Sequence, residues 1–127
     1  MCLPQYLDIK EGEVWFVKFP LEENPNSTIN RPIIVLDVDR MQVLSVKITK
    51  HKPRKKDLFD YPIIQWKKSG LKFKSTARIG KVLTLNRDCF IFKIGTLIQS
   101  DMNKITELYI NYISTQSTQQ VAALTEE

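Results

Sequence analysis

Two apolar runs divided by a short polar break set the frame for this chain. Pro32–Val38 (PIIVLDV) is the first run and Gln42–Ile48 (QVLSVKI) the second, with Asp39-Arg40 in the break between them. Each is rich in β-branched residues and too short for a typical helix, so the pair reads as two adjacent antiparallel strands. A hairpin reverses direction, so the start of the first strand lies beside the end of the second. Arg31 stands at that start, and Thr49, His51 and Arg54 stand at or just past that end. One guanidinium, one hydroxyl, one imidazole and further cations then share one rim of a sheet, a combination suited to a phosphodiester.

The rest of the chain fits around this pair. Gly12–Phe19 (GEVWFVKF) is a strand by its aromatic and β-branched content. Val14 and Phe16 point to one face, and Trp15, Val17 and Phe19 to the other. Both faces are apolar, so the strand needs cover on two sides, as in a small closed barrel. Residues 20–30 (PLEENPNSTIN) form a polar loop at the same rim as Arg31. Residues 49–60 (TKHKPRKKDLFD) form a second loop with five Lys and Arg. Asp60 followed by Pro62 predicts the cap and first turn of a short helix over 62–69, stopped at Gly70, with Ile63 and Trp66 facing the body. Ser75–Leu85 and Cys89–Ile94 read as two further strands around a turn at 86–88. Ser100 is expected to cap a helix over 101–113, where Met102, Ile105, Leu108, Tyr109 and Tyr112 recur at the helical period and read as core packing. Residues 1–10 read as irregular and 114–127 as a disordered polar tail, leaving one domain over 11–113. The expected class is mostly β: a barrel of about five to seven strands, a short middle helix and a C-terminal helix.

Charge is unevenly placed. Residues 46–81 hold 12 of the 19 Lys and Arg against two acids, a net +10, while the remainder is 7 less 12, a net −5. That asymmetry points to a polyanionic partner or an acidic protein segment at one face. No run of about 18 apolar residues exists for a membrane helix. The N-terminus lacks the basic-then-apolar layout of a signal peptide, so a cytoplasmic protein with Cys2 and Cys89 as free thiols is expected. One histidine and two widely spaced cysteines do not make a metal site, and no cofactor is expected.

Several segments in order carry a family resemblance: G-E-V-W-F-V, R-P-I-I-V-L after a polar loop, V-K-I-T at a strand end, S-T-A-R-I-G-K-V-L-T-L, K-I-G-T-L and D-M-N-K-I-T-E-L. Over roughly residues 11–113 the chain resembles the MazF/PemK toxins. The resemblance implies an SH3-like barrel with a C-terminal helix, a homodimer, and metal-independent cleavage of single-stranded RNA. It also implies the toxin half of a type II toxin–antitoxin pair, whose acidic antitoxin blocks the RNA groove. Arg31 and Thr49 match positions the family uses in catalysis. The loop before Arg31 departs from the family's glycine-rich segment, since 20–30 has no glycine; Glu22 or Glu23 is the candidate for its acidic residue.

RNA is cleaved without a metal when its own 2′-hydroxyl attacks the adjacent phosphorus. Arg31 suits the charge on the phosphoryl oxygens. Thr49 suits a hydrogen bond to the same group, and His51 suits proton transfer near neutral pH. Asp57, Asp60, Glu22 and Glu23 are candidates for a second proton carrier. Lys50, Lys52, Arg54, Lys55, Lys56 and Ser75 are expected to bind RNA, and Trp66 and Phe73 are candidates to stack on bases. The alternative reading is a non-catalytic nucleic-acid or protein binding module on the same barrel.

Overall fold

Six strands and one long helix account for most of the chain: β1 (Glu13–Pro20), β2 (Thr28–Val38), β3 (Gln42–Thr49), β4 (Asp60–Pro62), β5 (Thr76–Asn86), β6 (Phe90–Thr96) and α1 (Gln99–Thr125). The computed structural model describes residues 8–24, 26–39, 42–55 and 57–125, with side chains as far as residue 116. Residues 1–7 of the expected irregular N-terminus, and Lys56, lie outside the described residues.

All strand pairs are antiparallel, in the spatial order β4-β5-β3-β2-β1-β6. The expected β1, the β2–β3 pair, β5 and β6 are all present. The sheet is open, however: β4 and β6 are its edges and do not pair, so strand pairing does not close the expected barrel. Instead the segment after β4 reaches across to β6. Gly70, at φ +92°, lies so close that a Cβ there would meet the Ile94 carbonyl oxygen at 2.7 Å, and a Cβ on Gly95 would collide with the Ser69 carbonyl oxygen. Only glycine tolerates that approach.

Two apolar cores follow from the two-faced strands. Val14, Ile34, Leu36, Val46, Ile48, Ala77 and Ile79 pack under α1 through Ile105, with Met102, Leu108, Tyr109 and Tyr112 joining them. Trp15, Val17, Phe19, Ile33, Val35, Val43, Leu85 and Phe90 form the second core on the other face. The period-2 pattern of β1 thus sends Val14 to one core and Trp15, Val17 and Phe19 to the other, whereas Phe16 is half-buried outside both cores and stacks on Phe92.

The middle helix expected over 62–69 is absent. Asp60–Pro62 is a short strand on β5, with Tyr61 opposite Ala77, and 64–70 are turns. The physical reason is that Asp60 is not free to cap. Its Oδ1 accepts from Arg78 Nε at 3.2 Å and its Oδ2 from the Arg54 backbone N–H at 3.3 Å. The acceptor for the turn comes from α1 instead. Buried Asp101 takes the Ile64 and Gln65 N–H groups at 3.2 and 2.8 Å and the Tyr61 hydroxyl at 2.6 Å. Burial, followed by the Asp101 carboxylate, pushes the Tyr61 phenol well above its ordinary range.

Two further boundaries differ. β2 begins at Thr28, so Arg31 sits inside the strand opposite Val17 rather than ahead of it. α1 begins at Gln99, with the Ile98 carbonyl accepting the Asp101 and Met102 N–H groups, so Ser100 lies in the first turn rather than capping it. The helix continues to Thr125, through residues placed in the tail by the sequence reading.

Candidate functional site

Strand alternation sorts the site's side chains before any contact is considered. On β2, Arg31 shares the face of Ile33 and Val35, which belong to the second core. On β3, Lys47 and Thr49 share the face of Val43. Ile33 lies opposite Lys47, so Arg31 and Lys47 are diagonal neighbours, with side chains about 7–8 Å apart at their roots. Arg31 is anchored by its guanidinium carbon, 5.7 Å from the centre of the Phe19 ring.

The third strand adds more charge. Lys47 lies opposite Arg78 and Thr49 opposite Thr76, whereas Val46 lies opposite Val82. Ile79, Gly80 and Lys81 are therefore extra residues on β5, a bulge that bends the strand and re-aims its side chains. Lys81 Nζ reaches Glu22 Oε1 of the 21–27 loop at 2.9 Å. Arg31, Lys47, Arg78 and Lys81 thus crowd one patch, and Glu22 is the carboxylate facing them.

That crowding has electrostatic consequences. Burial, then the neighbouring Arg78, pulls Arg31 below its ordinary value against the pull of Glu22; it remains a cation. Its Nε is buried and lacks a hydrogen-bond partner. Burial, then Arg31, pulls Lys47 down as well, again opposed by Glu22. The Lys81 hydrogen bond holds Glu22 below the usual carboxylate range.

Of the two acidic loop residues, the structure couples Glu22 to the patch. Asp57 and Asp60, also candidate proton carriers, are committed elsewhere. Arg78 Nη2 binds Asp57 at 2.9 Å and its Nε binds Asp60 at 3.2 Å, with the Asp60 side chain only 4% exposed. Arg78 thereby ties the 54–60 loop to the sheet.

Thr49 and His51 form one local unit. Thr49 Oγ1 accepts the His51 backbone N–H at 3.3 Å, and the Thr76 hydroxyl donates to the His51 carbonyl at 2.7 Å. The turn is held on both sides, and the Thr49 hydroxyl proton is free to point outward.

A groove of about 810 Å³ runs past this unit. Arg31, Thr49, Lys50, His51 and Ser75 all line it, together with Lys72 and Lys93, and no Asp or Glu does. Its aromatic elements are Phe16 stacked on Phe92 at 5.2 Å and Phe73, which is 57% exposed under Lys50 Nζ at 4.8 Å. A smaller cavity of about 330 Å³ adjoins it, sharing Lys50, His51 and Ser75 and adding Lys52 and Trp66. Ser75 donates its hydroxyl to the Phe73 carbonyl at 2.7 Å, so it shapes the wall. Arg54 and Lys55 are exposed and line neither cavity.

The sequence reading therefore placed Arg31, Thr49 and His51 on a common groove and missed Lys47, Arg78 and Lys81. Lys47 carried a signal, since it stands two residues before Thr49 and so on the same strand face. Lys81 carried none, because the bulge that aims it depends on pairing. Among the described residues no group of three His, Cys, Asp or Glu side chains is arranged to hold a metal, and no helix is long and apolar enough to cross a membrane.

The family described as PemK-like, MazF-like toxin of type II toxin-antitoxin system matches residues 10–112. No curated protein sequence matches the chain. Among solved structures, an endoribonuclease from a mycobacterial species superposes with a TM-score of 0.63 at 12% identity, covering 86% of this chain and 95% of the other. A mycobacterial endoribonuclease in complex with its cognate antitoxin gives 0.64 at 13% identity, covering 84% and 96%. The Mycobacterium tuberculosis toxin MazF-mt6 gives 0.62 at 16% identity, covering 80% and 96%. At these identities the structural likeness is one of fold.

Proposed function

The chain belongs to the PemK-like, MazF-like toxin family of type II toxin–antitoxin systems, and on that premise we propose that it is an endoribonuclease cleaving single-stranded RNA without a metal ion. The observation that carries this reading is Arg31, a partly buried guanidinium whose Nε has no partner, beside a groove that no acid lines. A buried donor left unpaired is costly, and a phosphodiester oxygen supplies the missing acceptor.

The chemistry follows from the parts. Arg31 grips the phosphoryl oxygens, and its charge counts for most where negative charge builds up in the transition state. Thr49 donates its hydroxyl to the same phosphate. His51, exposed at the rim with its backbone held on both sides, takes the 2′-hydroxyl proton in this reading. Attack on phosphorus then leaves a 2′,3′-cyclic phosphate and a 5′-hydroxyl end. Lys50 and Lys72 hold the strand's phosphates along the groove, while Phe73 and the Phe16–Phe92 pair offer stacking faces.

The same reading has the protein work in the cytoplasm as a homodimer, restrained by an antitoxin whose acidic segment competes for this cationic groove. Exposed Ile91 and Phe92 on edge strand β6 are available for such contacts. The experiment is to incubate the protein with long single-stranded RNA and map the ends, alongside Arg31→Ala. Discrete fragments ending in cyclic phosphate are expected from the wild type and none from the variant. Intact RNA shifted on a gel by both proteins would support a binding module instead.

A further inference from the structure

The smaller cavity, of about 330 Å³, adjoins the groove and shares Lys50, His51 and Ser75 with it. The cleavage chemistry gives it no task. We propose that it is a nucleobase subsite: it takes one unpaired base of the strand, turned out of the groove beside the phosphodiester to be cut, and stacks it against Trp66. This rests on the endoribonuclease reading above and names the part of the substrate that the second cavity recognises.

Wall chemistry is the first argument. Pro53, Pro62, Ile63, Ile64 and Trp66 supply the apolar lining. Lys50, Lys52 and Lys74 are exposed cations that also line the cavity, and no Asp or Glu does. The Ser75 and Thr76 hydroxyls are already donated to the Phe73 and His51 carbonyls, each at 2.7 Å. An apolar hollow without a free hydroxyl donor disfavours a phosphate, which would lose its hydration there. It suits a flat aromatic ring whose flanking phosphates stay with the lysines. The volume lies at the low end of small-ligand sites, about 300–1,000 Å³, with room for one base and not for a length of strand.

The state of Trp66 is the second. Trp15, the other tryptophan, is 4% exposed and donates its indole N–H to Glu13 at 2.9 Å, so it is a satisfied core residue. Trp66 is only half-buried: it packs against the first core and also lines the cavity. The Lys67 ammonium lies 5.5 Å from its ring centre. Its indole N–H has no hydrogen-bond partner among the described residues, although a tryptophan with a purely packing role usually finds one.

Pre-organisation is the third. Asp101 of α1 fixes the turn by accepting the Ile64 and Gln65 N–H groups. The Ile63 N–H donates to the Ser75 carbonyl at 3.0 Å, and the Trp66 carbonyl accepts the Leu71 N–H at 3.1 Å. The wall is thus built before a strand arrives, and binding does not have to order it. With its hydroxyls committed, the cavity selects by stacking and fit rather than by hydrogen bonds to base edges, which gives a graded preference at one nucleotide position.

The test uses two uncleavable probes: a short oligodeoxyadenylate, which lacks the 2′-hydroxyl, and a strand of the same length whose sugars carry no bases. Binding is read from the anisotropy of a label on the strand, and stacking from the protein's tryptophan emission. The base-bearing strand is expected to quench that emission, and the abasic strand, held by its phosphates alone, is not. Trp66→Phe keeps a ring and should bind oligodeoxyadenylate nearly as the wild type does, but without the quench, since buried Trp15 is out of reach. Trp66→Leu should weaken oligodeoxyadenylate binding by about 5–150-fold and leave the abasic strand unaffected. Should Trp66→Leu fail to fold, the wild-type quench and its loss in Trp66→Phe decide by themselves. On ordinary RNA, Trp66→Leu should raise KM at nearly constant kcat and flatten the nucleotide preference at one position beside the cut. Lys104→Ala, on α1 where Lys104 pairs with Glu107 at 3.7 Å, serves as the unaffected control. Equal quenching by both strands makes the cavity a phosphate site and overturns the proposal. Binding of oligodeoxyadenylate with no quench leaves the cavity to a protein partner and overturns it too. A wild type that shows the quench but cuts no RNA supports the subsite and overturns the endoribonuclease reading instead.

Discussion

Arg31→Met should make the protein both more stable and inactive. In the folded chain the Arg31 Nε is buried without an acceptor, at a cost of about 1–3 kcal/mol. Its guanidinium also lies among Lys47, Arg78 and Lys81, with Glu22 as the opposing charge. Methionine keeps most of the aliphatic packing and removes the orphaned donor. What is lost is the contact over Phe19 at 5.7 Å, worth about 0.5–1 kcal/mol. The net expectation is a gain of about 1 kcal/mol, or a rise in Tm of about 3–5 °C for a chain of this size. The assay is thermal unfolding followed by circular dichroism at one fixed protein concentration, since association shifts apparent stability. RNA cleavage measured on the same samples should fall by at least about 10²–10³-fold, the loss typical of one charge-stabilising donor. The reasoning is refuted if Tm drops by a similar amount, which would mean Arg31 is satisfied in solution. It is refuted equally if cleavage persists.

Three further outcomes follow from the same geometry. Arg78→Gln leaves the Asp60 carboxylate, 4% exposed, buried without its partner, and should cost about 3–5 kcal/mol in urea unfolding; a loss under about 1 kcal/mol would mean water reaches Asp60. Burial pushes the Glu13 carboxyl up, but hydrogen bonds from Lys93, Trp15 and Lys10 together outweigh it, so the group lies below its ordinary 4.5. A carboxylate depressed on folding stabilises above its unfolded value and loses that contribution as pH falls through the folded one. Stability should therefore decline below pH 4.5, and Glu13→Gln should flatten that decline; an unchanged acid profile counts against the assignment. Finally, cleavage should be unaffected by EDTA, because Arg31 rather than an ion carries the charge stabilisation in the proposed mechanism; loss of activity restored by a divalent cation would point to another class of nuclease.

How much of this was legible beforehand varies with the range of the interaction. The alternation in Glu13–Pro20 announces two apolar faces, and both cores form on them. The paired runs around Asp39 put Arg31 and Thr49 on one groove, because a hairpin has only one way to return. The helical period of Met102–Tyr112 marks the face that packs. The short helix at 62–69 misled for a physical reason: a local cap signal at Asp60 was outweighed by an ion pair with a residue 18 positions away.

Sequence alone thus determined the five longer strands, which faces are apolar, and that a guanidinium and a hydroxyl would share one groove. Each of those depends on periodicity and on neighbours a few residues away. Tertiary structure decided the rest: that β1 pairs with β6, that a three-residue bulge turns Lys81 toward Glu22, and that Arg78 claims both loop aspartates. It also placed Lys47 beside Arg31 in a crowded, cationic patch. These rest on contacts between residues far apart in the chain, where no spacing in the sequence records which partner prevails.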